Sequence, residues 1–86
     1  MIVNIPSPLR SYTGNKSQVT ISGSSVSDLL RQLDSKYPGI RFRMIDEQDG
    51  IRQHIRIFVN HDQCLKLDQP LKETDVVHII CALSGG

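Results

Sequence analysis

The chain has 86 residues, which suits one domain with a small core and leaves little room for an elaborate enzyme pocket. It is 38% apolar and 22% charged, which excludes a disordered chain. A formal charge of +1 gives no basis for binding nucleic acid or an anionic membrane, and no apolar run approaches the ~20 residues that span a bilayer.

Residues 1–5 read as a strand, with Met1, Val3 and Ile5 on one parity. They lack the basic start and long apolar centre of a signal peptide. With only two cysteines, Cys64 and Cys81, and no close Cys motif, a reduced cytoplasmic setting is expected. Pro6 and Pro8 cannot donate to a ladder and end the strand. Residues 9–16 form a loop whose Thr13-Gly14-Asn15 is a positive-φ turn signal. Residues 17–22 alternate again around Val19 and Ile21, so the two strands are expected to pair as an antiparallel hairpin. Gly23 and Ser24 break the second strand.

Ser25 and Asp28 have the spacing of a capping box, and Val26, Leu29, Leu30, Leu33 and Tyr37 then share one helical face. Pro38-Gly39 stops this helix. Residues 40–45 suit a short helical turn sending Phe42 or Ile45 to the core, and residues 46–50 a polar turn. A strand over 54–60 puts Ile55, Ile57 and Val59 on one side. Residues 64–67 suggest a brief return strand, and Val76–Cys81 is the final strand. The compact solution is α+β, a mixed sheet packed on one main helix, with the first and last strands side by side at its centre.

Parity then predicts an open sheet face carrying Asn4, Pro6, Arg56, Phe58, His78 and Ile80, with Phe58 and Ile80 exposed as a candidate partner site. Residues 82–86, Ala82, Leu83, Ser84, Gly85 and Gly86, follow the last strand as a flexible tail on a domain spanning 1–81. Extended, such a tail reaches about 17 Å, and its glycines let another backbone approach closely. His61, Asp62 and Cys64 cluster in sequence, but no second cluster completes a ligand set, so no metal site is expected. Cys81 reads as packing, Ser24 and Ser25 as capping, and no phosphate loop, dinucleotide fingerprint or paired catalytic acid is present.

Taken together, Ile2-Val3-Asn4-Ile5-Pro6 leading to Leu9-Arg10, Thr13-Gly14, the helix over 26–37, Phe58-Val59-Asn60, Pro70-Leu71, Thr74-Asp75-Val76-Val77 and Gly85-Gly86 resemble the ubiquitin-like sulfur carriers. These are the ThiS, MoaD and CysO families of thiamin, molybdopterin and cysteine biosynthesis. Arg43-Met44-Ile45-Asp46 and Gly50-Ile51-Arg52 look most like the cysteine-biosynthesis type and related carriers for secondary metabolites. Two departures are His61, where the family often has Gly, and Ala82-Leu83-Ser84, where molybdopterin carriers often approach the end through proline.

The resemblance implies a β-grasp fold and a carrier that is a co-substrate, not an enzyme, with no bound cofactor. Gly86, supported by Gly85, would be adenylated by an ATP-using partner of the ubiquitin-activating type and converted to a thiocarboxylate. Pro6, Phe58, Ile80, Ala82, Leu83 and Ser84 would contact partners. A sulfur donor protein and a sulfur-accepting synthase are the other implied partners, joined by a trimming metalloprotease in members made with residues beyond Gly-Gly. Molybdopterin and thiamin-type carriers, a protein modifier and a plain interaction module remain the alternatives.

Overall fold

The computed structural model describes residues 1–82. The chain order is β1 (Ile2–Asn4), a 3-10 helix (Ser7–Tyr12), β2 (Gln18–Thr20), α1 (Val26–Lys36), α2 (Ile40–Met44), β3 (Ile55–Val59), β4 (Asp62–Gln63) and β5 (Val76–Cys81). The strands form one mixed sheet in the order β2-β1-β5-β3-β4. β1 pairs antiparallel with β2 and parallel with β5, so the chain's first and last strands do lie together at the centre.

Helix α1 forms where its pattern places it. The Ser25 hydroxyl accepts from the Asp28 N–H at 3.1 Å, which satisfies one of the donors a helix start leaves open. The Asp28 carboxylate reaches back to the Ser24 N–H at 2.9 Å, one residue before the cap itself. Val26, Leu29, Leu30 and Leu33 are fully buried in one apolar cluster with Val3, Ile57 and Val77 of the sheet and with Ile5 just past β1. Gly39, at φ 97°, reverses the chain into α2. Asp34, near the end of α1, caps the new helix by accepting from the N–H groups of Gly39 and Arg41, each at 3.1 Å.

Several local expectations need correction. Of the two residues offered to the core beyond α1, Ile45 is buried, whereas Phe42 is 56% exposed. The spacing of Ile40 and Met44 turns that face of α2 inward and Phe42 outward. The loop over 9–16 begins inside a 3-10 helix that buries Leu9, and its positive-φ turn falls at Gly14 and Asn15. Residues 64–67 are not a strand. Cys64 N–H still donates to Ile57 C=O at 2.7 Å, but the carbonyls of Leu67 and Gln69 then accept from Ser27 and Val26 N–H. The segment leaves the sheet because the start of α1 takes its carbonyls.

Half-buried carboxylates stitch the turns together. Asp46 accepts from the N–H groups of Gly50 and Gln48, at 2.9 and 2.8 Å. Asp75 accepts from Lys72 N–H and from the Asn60 amide, while the Asn60 carbonyl oxygen accepts from Val76 N–H and fixes the entry to β5. Backbone donors are the largest cause holding Asp28, Asp46 and Asp75 below the ordinary carboxylate range. A carboxyl lowered in the folded state stabilises it fully above its unfolded pKa, and that stabilisation disappears as pH falls through the folded one. The urea midpoint should therefore stay level from neutral pH down to the ordinary carboxylate range and fall below it. A midpoint that rises on acidification would contradict these contacts.

Candidate functional site

The face of the sheet away from α1 is built by strand alternation. Across its middle the register places Gln18 beside Asn4, Asn4 beside His78, and His78 beside Phe58. The Asn4 side-chain amide donates to His78 Nδ1 at 3.0 Å, which ties β1 to β5 on this face. One step further along β5, Ile80 lies diagonal to Phe58 and is 45% exposed. Pro6, just past β1, completes a shallow depression with Phe58 and Ile80. The structure thus brings together Phe58 and Ile80, the pair that parity offered as a partner site, and Pro6, which the resemblance added to them.

Two details differ from expectation. Phe58 is half-buried, because β3 lies between β4 and β5 and its ring has neighbours on both sides. Arg56 does not line the depression. Its guanidinium turns toward its own chain and donates through Nη1 to the carbonyls of Gln53, at 2.7 Å, and Ile55, at 3.0 Å. Ile2, not among the residues expected on this face, shares the parity of Asn4 and is 42% exposed, but lies outside the depression.

The base of the tail is held by the sheet. Ala82 N–H donates to His54 C=O at 2.7 Å, one residue beyond the last of β5, so the ladder carries on to the exposed Ala82. Leu83, Ser84, Gly85 and Gly86 lie outside the described residues.

Among the described residues, neither cysteine is set up as a nucleophile. Burial pushes the Cys64 thiol up, and this buried side chain donates to Lys66 C=O at 3.1 Å. Burial also pushes the half-buried Cys81 thiol up. A raised pKa is the opposite of what an attacking thiolate needs. His61 and Asp62 are exposed while Cys64 is buried, so this cluster does not converge. Among the described residues no group of three His, Cys, Asp or Glu side chains is placed to hold a metal ion, and no helix is long and apolar enough to cross a membrane.

What the arrangement offers is a rigid central strand, a partly apolar depression beside its end, and a chain that continues from it. The ThiS family model matches residues 3–86. The chain belongs to the ThiS family. It is 30% identical to the sulfur carrier protein CysO of Mycobacterium tuberculosis over 89 aligned positions, covering 98% of this chain and 96% of that protein. The crystal structure of M. tuberculosis CysO superposes with a TM-score of 0.88 at 28% identity, covering 95% of this chain and 98% of that one. CysO in the Amycolatopsis orientalis BexX/CysO complex is similar with a TM-score of 0.90 and 28% identity, covering 99% and 98%. The fold is therefore the ubiquitin-like β-grasp, and the protein is a sulfur carrier of the ThiS and CysO type, a class of small carriers rather than catalysts.

Proposed function

We propose that the Gly86 carboxylate is the sulfur-bearing group and that an ATP-dependent adenylating enzyme of the ubiquitin-activating type loads it. The carboxylate attacks the α-phosphate of ATP, pyrophosphate leaves, and an acyl-adenylate forms. Sulfide, or sulfur delivered by a donor protein at the sulfide level, then displaces AMP, and one carboxylate oxygen leaves with the AMP. The product is a thiocarboxylate that gives its sulfur to a synthase making cysteine or a related metabolite. In this reading the chain needs no bound cofactor, since ATP is consumed on the partner. Its own contribution is to raise the local concentration of one reactive group in the partner's site. The observation that carries the proposal is that the family match extends through Gly85 and Gly86. The similarity to CysO favours cysteine chemistry over the molybdopterin and thiamin pathways.

The test is the intact mass of the chain after incubation with ATP, sulfide and its cognate activating enzyme. The expected gain is one oxygen exchanged for one sulfur, and an unchanged mass would overturn the proposal. Isopeptide adducts on lysines of other proteins would instead mark a protein modifier.

Pro6, Phe58 and Ile80 dock the activating enzyme in this reading, while Ala82, Leu83 and Ser84 lead the terminus into its active site. Ile80→Asp should lower kcat/KM for loading by about 100-fold, the loss expected when a central apolar contact of an interface is replaced by an unpaired charge. Ile80 is already 45% exposed, so folding should be unaffected. Ile2→Asp places the same charge on the same face but outside the depression, and should load like the parent chain. Equal losses in both variants would remove the depression from the docking site.

A further inference from the structure

Charge is distributed unevenly over this near-neutral chain. A second groove, of about 830 Å³, runs between α1, α2, the chain following α2 and residues 63–68, and shares no lining residue with the open-face depression. It collects five of the ten Lys and Arg residues, Arg31, Arg41, Arg52, Arg56 and Lys66, but only two of the nine Asp and Glu residues, Asp49 and Asp68. Five cations against two carboxylates give a local formal charge of +3, and the remaining surface carries −2.

We propose that this groove docks an extended acidic segment of a partner protein, on a surface separate from the one that holds Pro6, Phe58 and Ile80. Two of its guanidinium groups are held in place without being neutralised. Arg52 Nε donates to Phe42 C=O at 2.7 Å and its guanidinium lies 4.6 Å from the centre of the Phe42 ring. Arg56 donates to two carbonyls. These acceptors are uncharged and neither guanidinium is in an ion pair among the described residues, although Asp46 lies within electrostatic reach of Arg52; little side-chain entropy is left to lose on binding. Arg41 has one ion pair, to the largely exposed Asp49 at 3.3 Å, and its buried Nε has no hydrogen-bond partner among the described residues. Such a pair is weak in water, and a better-placed carboxylate can replace it.

The chemistry selects a peptide. Leu65, 77% exposed, lies on the groove among the cations, and an apolar side chain there suits a polypeptide better than an inorganic anion. Among the described residues no aromatic side chain lines the groove, and the exposed Phe42 ring beside it already stacks with Arg52, so the row of free rings that single-stranded nucleic acid uses is missing. This surface would act whether or not the chain carries sulfur on Gly86.

The experiment is a titration of the full chain, followed by its backbone amide NMR spectrum, with a synthetic peptide of alternating Glu and Val and with its Gln-Val counterpart. The acidic peptide should shift the amides of Arg31, Arg52, Arg56 and Lys66, and the Gln-Val peptide should shift none of them. The double variant Arg31→Glu, Lys66→Glu changes two exposed side chains, so the dispersion of its spectrum reports directly that it is folded. It should bind about tenfold more weakly, a loss of about 1.4 kcal/mol spread over two surface pairs. The proposal is overturned if the Gln-Val peptide binds equally well, if the shifts centre on Asn4, His78 and Ile80, or if the folded double variant binds like the parent. Equal shifts from inorganic phosphate, or tighter binding of an oligonucleotide, would likewise assign the groove to another ligand.

Discussion

Deleting Gly86 should abolish sulfur loading while leaving the domain as stable as before. The carrier reading makes reach the quantity that matters. The ladder fixes Ala82 through its bond to His54, so the residues after it set how far the terminal carboxylate extends. Removing one residue withdraws that carboxylate by about 3.5 Å. A misplacement of about 1 Å at a reacting centre already costs on the order of 10²-fold, so the shortened chain should show no gain in mass with the activating enzyme, ATP and sulfide. The contrast with Ile80→Asp is informative. Loss of docking raises KM and is recovered by excess activating enzyme, whereas a withdrawn carboxylate lowers kcat and is not. Gly86→Ala keeps the reach and adds one methyl group, so it should lose part of the rate but not all of it. A Gly86-deleted chain that gains mass at the parental rate would remove Gly86 from the chemistry.

The parts of the fold legible in the sequence are those where one period repeats within one element. The three- and four-residue spacing of Val26, Leu29, Leu30 and Leu33 specified α1, and all four are buried. Alternation in β3 and β5 sorted Ile55, Ile57, Val77 and Ile79 from Phe58, His78 and Ile80, and the two sets do occupy opposite faces. That sorting also brought Pro6, Phe58 and Ile80 to one depression. What was not legible depends on a second element. Residues 64–67 have the composition of a strand, yet the open N–H groups of α1 recruit the carbonyls of Leu67 and Gln69 and draw the segment off the sheet. Arg56 has open-face parity, but its long side chain reaches back to the Gln53 carbonyl. The basic groove was invisible for the same reason. Its cations stand at 31, 41, 52, 56 and 66, far apart in sequence, and only the packing of α1, α2 and β3 collects them.

Gly23 illustrates the same point with a large consequence for stability. In the sequence it serves as a strand breaker between β2 and α1. In the structure it lies against the backbone of that helix at Leu29. A Cβ added to Gly23 would sit 2.7 Å from Leu29 Cα, 2.8 Å from its N and 2.9 Å from its Cβ. The obstacle is helix backbone, and Leu29 is fully buried on the face that meets the sheet, so neither partner can turn aside. Gly23→Ala must therefore lift the start of α1 or displace the chain entering it, and should cost about 3 kcal/mol, the upper part of the range for overpacking a core. For a domain of this size that is a shift in Tm of very roughly 12 to 24 °C. Gly14→Ala provides the comparison, since its added Cβ meets nothing within 4 Å and the cost comes only from a φ of 64°. That substitution should cost about 1 kcal/mol. Thermal and urea unfolding of the two variants would separate the causes. If close approach dominates, Gly23→Ala is much the less stable of the pair; if the two are equal, α1 can move away from the sheet more freely than its packing implies.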